Sequence, residues 1–298
     1  MNLCPACDGR HAAPDFRCPH CGFAPPMQDG VPLLAPALAR AVSGFDPAEF
    51  AALAAQEDGH FWFEGRSRII VDALRRHVPA PHDYLEVGCG TGHVLAAVAA
   101  AFPGLAITAS EVLAEGLRHA ALRAPGARLL QLDARALPFE NAFDVIGAYD
   151  VLEHIVEDDA VLAAMHRALR PGGHVVLTVP QHPALWSAQD DLARHERRYR
   201  RDELEAKLRD AGFVIVASTS FMTLLLPAMW LSRRRAPAAA APGARVTDDE
   251  MAPPAWANAL MGATLAIERR AIALGVMLPV GGSRLVVARR MRAAEASS

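Results

Sequence analysis

Short apolar runs alternate with amphipathic stretches from about residue 81 to residue 217 of the chain. Each apolar run predicts a strand, and each stretch with apolar residues three or four apart predicts a helix. The predicted strands are 84–87, 105–110, 128–132, 143–149, 174–179 and 213–217. The predicted helices between them are 93–102, 113–122, 159–170 and 202–212. Strands that alternate with helices indicate a parallel sheet covered by helices on both faces.

Local signals predict several helix ends. Asp46 is expected to cap a helix that Pro47 begins, and a second helix is predicted over 65–78. Asp158 is expected to cap the helix that the Pro-Gly-Gly run at 171–173 ends.

The alternation stops after residue 217. Four segments follow. They are an apolar and then basic segment at 221–235, a low-complexity linker at 236–255, a long apolar helix at 256–278 and a last strand at 281–290. We predict that 221–280 is a helical insertion before the final strand. One interpretation is a helical cap whose apolar face is buried on the sheet edge. The other is an apolar surface that contacts a membrane or a lipid-linked substrate.

Composition narrows the class of protein only a little. The formal net charge of −3 gives no global reason to expect nucleic-acid binding. The chain has no uncharged apolar run long enough to span a membrane, and its start lacks the pattern of a secretory signal. We therefore expect a cytoplasmic protein, with peripheral membrane contact through 221–280 as the added expectation. The sequence leaves the oligomeric state open.

Four of the five cysteines form two Cys-x2-Cys pairs, namely Cys4 with Cys7 and Cys18 with Cys21. Without a secretory signal, this spacing predicts a metal site rather than disulfides. Structural zinc is the expected ion, although the spacing leaves iron open. Residues 1–30 lack the apolar side chains for a core of their own, so a bound metal would stabilise them.

We expect five parts of the chain. They are a zinc-ribbon-like knuckle at 1–30, a linker with N-terminal helices at 31–80 and a core with a ligand site at 81–220. The helical insertion at 221–280 and a final strand with a tail at 281–298 follow.

A glycine-rich turn, Gly88-Cys89-Gly90-Thr91-Gly92, separates the first predicted strand from its helix. Glycines let a ligand lie against bare backbone. The sixth position is His93, so the dinucleotide fingerprint is incomplete, and no Gly-Lys-Ser/Thr follows as in a P-loop. Glu86 precedes the turn, where a carboxylate repels a pyrophosphate but attracts an ammonium or sulfonium group.

Two further carboxylates end the next predicted strands. Glu111 can accept hydrogen bonds from both hydroxyls of a ribose, and Asp133 can accept one from an adenine amino group. The three carboxylates together predict an adenosine ligand with an amino-acid tail and no phosphate, which describes S-adenosylmethionine (SAM).

The motifs "LEVGCGTG", "SE", "LDARALPF", "FDVIGAYDVLEHI" and "LRPGGHVVLTVP" stand in the order found in class I SAM-dependent methyltransferases. The chain most resembles the subgroup of ubiquinone and menaquinone biosynthesis methyltransferases, over about residues 60–220 and the last strand. The resemblance implies an α/β Rossmann-like sheet of seven strands, mostly parallel, with the last strand antiparallel. It implies a SAM site lined by Glu86, Gly88, Cys89, Gly90, Gly92, Glu111, Val112, Asp133, Ala134 and Tyr149.

The sequence departs from the family pattern at two places. Glu111 stands where Asp is commoner, which keeps the carboxylate. The Asn/Asp-Pro-Pro-Tyr/Phe motif of base-amine methyltransferases is replaced by "GAYDVLEH", which argues against DNA adenine methylation.

Histidines after the fourth and fifth predicted strands are candidates for a general base toward a hydroxyl acceptor. His154 and His195 are the predicted catalytic residues, with His182 as a weaker candidate; His154 could equally bond only to backbone. The run 197–199, Arg-Arg-Tyr, is either a grip for an anionic acceptor or a solvated charge cluster. Trp62 and Phe63 are either a lid over the SAM pocket or core residues.

The predicted function is methyl transfer from SAM to a small-molecule or lipid-linked acceptor, through oxygen or carbon. Two alternatives stay open at this point. A zinc-ribbon RNA methyltransferase is disfavoured by the few basic residues, Arg10 and Arg17, in the ribbon. A non-catalytic SAM-binding regulator or scaffold is the other.

Overall fold

The computed structural model describes residues 1–41, 47–235 and 253–292. Two small hairpins near the start contain strands β1 to β4, which are Asn2–Leu3, Arg10–His11, Met27–Gln28 and Val31–Pro32. Strands β5 to β11 form a central sheet and are Asp83–Val87, Ala106–Glu111, Arg128–Gln131, Phe143–Tyr149, Leu169–Pro180, Phe213–Phe221 and Ser283–Arg290.

The strand order of the central sheet is β7-β6-β5-β8-β9-β11-β10. Strands β5 to β9 run parallel, and β11 is antiparallel to both of its neighbours. The α/β Rossmann-like fold predicted from the sequence is therefore confirmed, including the antiparallel last strand. The order reverses between β5 and β8, and ligands of such sheets bind outside the carboxyl ends of the strands at this reversal.

Helices connect the strands and flank the sheet. In chain order they are α1 to α10, at Pro36–Ala41, Pro47–Glu57, Phe61–His77, His93–Ala101, Ala114–Arg123, Asp158–Ala168, Ala188–Leu192, Arg201–Asp210, Leu226–Arg235 and Ala255–Ala273. Successive residues of a strand point to opposite faces, so the sheet builds two cores. On β8, Ile146 joins the core with Val161 of α6, whereas Val145 joins the core with Ile70 of α3.

The N-terminal hairpins pack on the edge of the central sheet. Phe16 is fully buried in the same core as Phe139 and Phe143. Leu3 donates its amide hydrogen to the carbonyl of Pro138 at 2.9 Å. The module thus obtains from the sheet the apolar surroundings that its own composition lacks.

The first part of the predicted linker after residue 30 pairs with two neighbouring strands. Val31–Pro32 pairs with β3, and Leu34 donates to the carbonyl of Gln131 at 2.8 Å. The chain follows β7 here because the backbone groups at this sheet edge would otherwise lack partners.

The predicted ends of one helix are wrong. Helix α6 begins at Asp158 itself, after Glu157, and the Asp158 carboxylate accepts a hydrogen bond from the Tyr199 hydroxyl at 2.6 Å instead of capping. The helix ends at Ala168, and the Pro-Gly-Gly run lies inside β9. Gly172 lets the chain pass from the helix into β9, because its φ of +86° lies in the left-handed region that glycine adopts readily. The predicted cap Asp46 lies outside the described residues.

Helices α9 and α10 lie between β10 and β11. Helix α10 ends at Ala273 rather than at residue 278, since Gly275 adopts a left-handed φ of +97°. Among the residues that the structure describes, no helix combines the length and apolarity that a membrane span requires.

Candidate functional site

The glycine turn connects β5 to α4 at the reversal of strand order. Gly88, Gly90 and Gly92 all have positive φ, at +68°, +52° and +84°. A Cβ at Gly88 would lie 2.5 Å from a methyl group of Val151, and a Cβ at Gly92 would lie 2.7 Å from the Cα of Ala120. A Cβ at Gly90 would meet no atom within 4 Å. Two of the glycines therefore permit packing, and the third leaves open space over bare backbone.

Helix α2 and the end of α5 hold the turn in place. The Thr91 hydroxyl donates to the buried carboxylate of Glu57 at 2.6 Å, and Arg123 forms an ion pair with the same carboxylate. Arg123 also donates to the carbonyl of Ala54 at 2.9 Å. These contacts tie two separate segments, α2 and the end of α5, to the glycine turn.

Glu86 lies on β5 directly before the turn and is almost fully buried. Its carboxylate accepts a hydrogen bond from the Tyr84 hydroxyl at 2.8 Å, and that hydroxyl lies 3.2 Å from the hydroxyl of Tyr149. Gly147 makes room for both rings, since a Cβ there would lie 2.5 Å from the Tyr149 hydroxyl. Burial raises the pKa of Glu86 to about 8, because the low-dielectric surroundings disfavour its charged form.

Glu111 ends β6 and turns its carboxylate back to the glycine turn. Its two oxygens accept from the amides of Gly90 at 3.0 Å and Val112 at 2.7 Å. Burial raises the pKa of Glu111, against the lowering effect of these backbone bonds. Cys89 is buried beside it, and its amide donates to the carbonyl of Ser110 at 2.9 Å.

Asp133 follows β7 and begins the short 3-10 helix Ala134–Ala136. Its carboxylate accepts from the Arg135 amide at 2.9 Å and forms an ion pair with the Arg135 guanidinium at 2.9 Å. The predicted adenine acceptor is therefore already engaged by a neighbouring cation, and only its remaining lone pairs are free for a ligand.

After β8 the chain turns sharply at Asp150, whose φ is +57°. The Asp150 carboxylate forms an ion pair with Arg66 of α3. The Arg66 guanidinium lies 4.2 Å from the ring centroid of Trp62, a cation–π contact. Phe63 is buried, in keeping with the core interpretation, whereas Trp62 is half-buried next to this ion pair.

The structure brings the two predicted catalytic histidines together. The rings of His154 and His195 meet edge to face with centroids 4.8 Å apart. His195 Nδ1 lies 3.0 Å from the buried carboxylate of Asp190, which leaves Nε2 as the free ring nitrogen. His154 is exposed at the surface, but desolvation of its ring and the nearby His195 lower its pKa.

Two buried carboxyl groups flank this pair. Although burial alone would raise the pKa of Asp190, its bond to His195 and the charges of Arg198 and Arg233 hold it well below its usual range. Glu153 is fully buried, and neither of its carboxylate oxygens has a hydrogen-bond partner among the described residues. Burial and the neighbouring Asp150 raise the pKa of Glu153 well above its ordinary value, which favours the neutral acid.

The Arg-Arg-Tyr run at 197–199 is turned to the protein's own carboxylates. Arg197 pairs with Asp158 at 2.8 Å, and the buried Arg198 pairs with Asp190 at 2.7 Å. Tyr199 is fully buried and donates to Asp158. The run therefore fits neither of its two interpretations, since internal carboxylates engage its side chains and two of the three are buried.

The four cysteine sulfurs converge, all within 4.8 Å of one another. The Cys4 and Cys21 sulfurs are 3.6 Å apart, and those of Cys7 and Cys18 are 3.7 Å apart. A tetrahedron with Zn–S bonds of about 2.3 Å places its sulfurs about 3.8 Å apart, so the four thiols fit zinc.

The sequence did not predict the side chains that contact the site from distant positions in the chain. Glu57, Arg66 and Arg123 carry no local signal, since each meets its partner only in the tertiary structure. Asp190 had a signal, because Ser187 and Asp190 have the spacing of a capping box, and the structure forms that box at the start of α7.

A family model described as a methyltransferase domain matches residues 57–218, more than half of the chain. A probable S-adenosylmethionine-dependent methyltransferase of Mycobacterium tuberculosis is 29% identical over 164 residues, which are 53% of this chain and 57% of the relative. A ubiquinone biosynthesis O-methyltransferase of Psychrobacter arcticus is 32% identical over 108 residues, or 33% of this chain and 41% of the relative. The chain thus spans about half the length of these curated relatives.

Among solved structures, the SAM complex of a phosphoethanolamine N-methyltransferase from Haemonchus contortus has a similar fold. The TM-score is 0.55 at 19% identity, and the match covers 84% of this chain and 59% of that chain. Fold, glycine turn and family match agree with one another. The chain therefore belongs to the methyltransferase domain family.

Proposed function

We propose that the protein transfers a methyl group from SAM to the oxygen or carbon of a small-molecule or lipid-linked acceptor. The open backbone at Gly90 carries this proposal, since it lies at the reversal of strand order where ligands of such sheets bind. The family match over 57–218 and the curated relatives named as methyltransferases support it.

In the proposed complex, the glycine turn with Cys89 lies against the methionine part of the cofactor. The Glu86 carboxylate would pair with its ammonium group, and Glu111 with Val112 would face the ribose. Asp133 and Ala134 would bind the adenine, and Tyr149 would close the pocket at the end of β8. Each of these residues lies at the carboxyl end of its strand or in the following turn.

When bound, SAM supplies an electrophilic methyl group on a sulfonium. The protein's own part is positioning of the acceptor and removal of its proton. His195 fits the role of base for a hydroxyl acceptor, since Asp190 fixes its Nδ1 and leaves Nε2 to accept the proton. His154 lies against His195 and bonds to the backbone of Arg194 and Ala193, so its proposed role is to position the His195 ring.

The test compares two glycines that both adopt left-handed backbone conformations, Gly90 at φ +52° and Gly104 at φ +91°. Gly90 and Gly104 both have positive φ and open space at the Cβ position, but only Gly90 lies in the glycine turn. We expect Gly90→Ala to weaken binding of S-adenosylhomocysteine about tenfold or more in calorimetry, whereas Gly104→Ala costs only fold stability. Equal affinities in the two variants would contradict the proposed cofactor position.

The acceptor is identified by incubating the protein with methyl-labelled SAM and a fractionated lysate. Label in a lipid or metabolite fraction supports the proposal. Label in RNA, with binding that falls steeply as salt rises, would favour an RNA methyltransferase instead. Tight SAM binding with no labelled product would favour a non-catalytic SAM-binding protein.

The cysteine cluster is proposed to bind structural zinc. The distances between the sulfurs support this ion, and the module's place against Phe139 supports a stabilising role. Metal analysis of the purified protein is expected to give about one zinc per chain, with loss of the metal in Cys18→Ser. Iron in its place would change the ion but not the site.

A further inference from the structure

Helix α10 buries Leu265 but turns a stripe of its other apolar residues outward. Trp256, Leu260, Ile267 and Leu274 follow one another along one face of the helix and its C-terminal end, and they are 72%, 61%, 59% and 84% exposed. Their spacing of four and seven residues aligns them on one side, over a length of about 27 Å. An ordinary surface helix buries such a stripe and exposes its polar side.

The opposite side of α10 attaches the helix through polar groups. Asn258 accepts from the Phe61 amide at 2.9 Å, and Arg269 pairs with Asp72 of α3 at 2.6 Å. The buried Glu268 accepts from the amides of Thr223 and Leu224 at 3.0 and 2.7 Å. Polar anchors on the inner side therefore fix the helix in an orientation that keeps the apolar stripe outside.

The segments next to α10 extend the exposed apolar area. Leu224 is 55% exposed directly beside the Glu268 anchor, and large side chains after α10 are also exposed, namely Val276, Met277 and Val280. Scattered single apolar residues are normal on protein surfaces, but a continuous set of this kind marks a contact site.

The charges around the stripe are positive. Between residues 253 and 280, the acidic residue is Glu268, which is buried, whereas Arg270 is exposed in line with the apolar stripe. Arg75 and Arg76 are exposed at the end of α3, and Arg76 donates to the carbonyl of Ala273. The stripe is thus apolar with a basic border, which complements an anionic surface.

We propose that this face of α10 binds the surface of a lipid bilayer that contains anionic lipids, with the helix lying in the headgroup region. Trp256 suits that region, since tryptophan concentrates where apolar chains meet water. Arg270 favours a bilayer over a second copy of this chain as the binding partner. Its long side chain can extend to phosphates, whereas an apolar protein interface would have to bury the charge.

Helix α9 contacts the predicted acceptor side. Arg233 of α9 donates to the Asp190 carboxylate at 3.0 Å, and Asp190 holds His195. Membrane binding itself does not depend on methyl transfer, so it is measured without a methyl donor.

The test is co-sedimentation with phosphatidylcholine vesicles, with and without phosphatidylglycerol. We expect binding to the anionic vesicles that weakens as salt rises, and a loss of about tenfold or more in Leu260→Glu. Leu122→Glu is the matched control, because Leu122 is 82% exposed on α5, away from the stripe. Arg270→Gln is expected to weaken binding about fivefold.

A second readout follows Trp256 directly. Its exposed indole is expected to shift its fluorescence to the blue with anionic vesicles, and this shift is expected to be lost in Trp256→Phe. Circular dichroism and affinity for S-adenosylhomocysteine check that each variant is folded. Equal sedimentation of Leu260→Glu and wild type overturns the proposal. A dimer in light scattering that Leu260→Glu converts to monomer, without vesicle binding, overturns it in favour of a second copy.

Discussion

The donor side and the acceptor side of the site are built in different ways. On the donor side, the glycine turn with Glu86 and Glu111 comes from consecutive strands. Backbone amides hold the Glu111 carboxylate, and the Tyr84 hydroxyl two residues away holds that of Glu86. On the acceptor side, His154 and His195 come from distant loops, and Asp190 holds His195. The first side is specified by local sequence, and the second depends on how loops pack. This difference predicts that substitutions on the two sides change different measured quantities.

The largest effect is expected from the base. His195→Ala is predicted to lower kcat about 100-fold or more while the affinity for SAM stays near that of the wild type, because a general base acts on the acceptor alone. His119→Ala on α5 is the control and is expected to change neither quantity. The measurement combines turnover on the identified acceptor with calorimetry. An equal loss of SAM affinity would place His195 on the donor side and contradict the division of the site into a donor side and an acceptor side.

A smaller effect is expected from Asp190, which acts through His195. Asp190→Asn is predicted to lower kcat about tenfold, because the amide keeps the shape but no longer favours the productive tautomer of the imidazole. The loss is expected to come with a shifted pH dependence of kcat, which a purely structural role would not produce. An unchanged pH profile would leave Asp190 with a role in packing only.

On the donor side, Glu86→Gln is predicted to weaken SAM binding about tenfold while kcat at saturating SAM changes little. The pKa of Glu86 is about 8 without ligand, so the group is mostly protonated at pH 7. An ammonium partner favours the carboxylate, so SAM binding at pH 7 should release close to one proton. Calorimetry in buffers of different ionisation enthalpy measures this proton. If SAM binding to Glu86→Gln releases the same proton, the proton comes from another group.

The last effect concerns the free energy of unfolding without ligand. The pKa of Glu86 is about 8 in the folded state and 4.5 in the unfolded state. Between these values the folded protein holds a proton that the unfolded chain has lost. The contribution of Glu86 to stability is therefore fully present below pH 4.5 and is lost as pH rises through 8. Urea unfolding across this range measures how the free energy of unfolding declines as pH rises. We expect this decline to be shallower for Glu86→Gln than for the wild type, by at most about 1.4 kcal/mol per pH unit. Identical slopes would exclude Glu86 as the source.

The fold could be predicted from the sequence because period and turn chemistry are local properties. All six strands expected between residues 84 and 217 exist, and only their ends shifted, most at β9 and β10. The cap at Asp158 failed because Tyr199 and Lys207, which are distant in sequence, engage its carboxylate instead. Cap preference is a weak local effect that a buried network overrides.

The outward face of α10 shows the limit of pattern reasoning more clearly. The sequence of 256–278 permitted a buried cap or an exposed apolar surface, since both need the same apolar residues. The choice came from Asn258, Glu268 and Arg269, whose partners on α3 and after β10 fix the rotation of the helix. A helix cannot satisfy these polar groups inside the protein and bury the opposite side at once.

The sequence by itself determined the sheet, the glycine turn, the three carboxylates of the donor side and the four cysteines. Each of these depends on residues within a few positions of one another, or on spacing that one motif carries. Only the tertiary structure decided which histidines meet, that Asp190 rather than solvent holds His195, and which side of α10 faces outward. These features depend on contacts between segments far apart in the chain, and such contacts leave no periodic trace in the sequence.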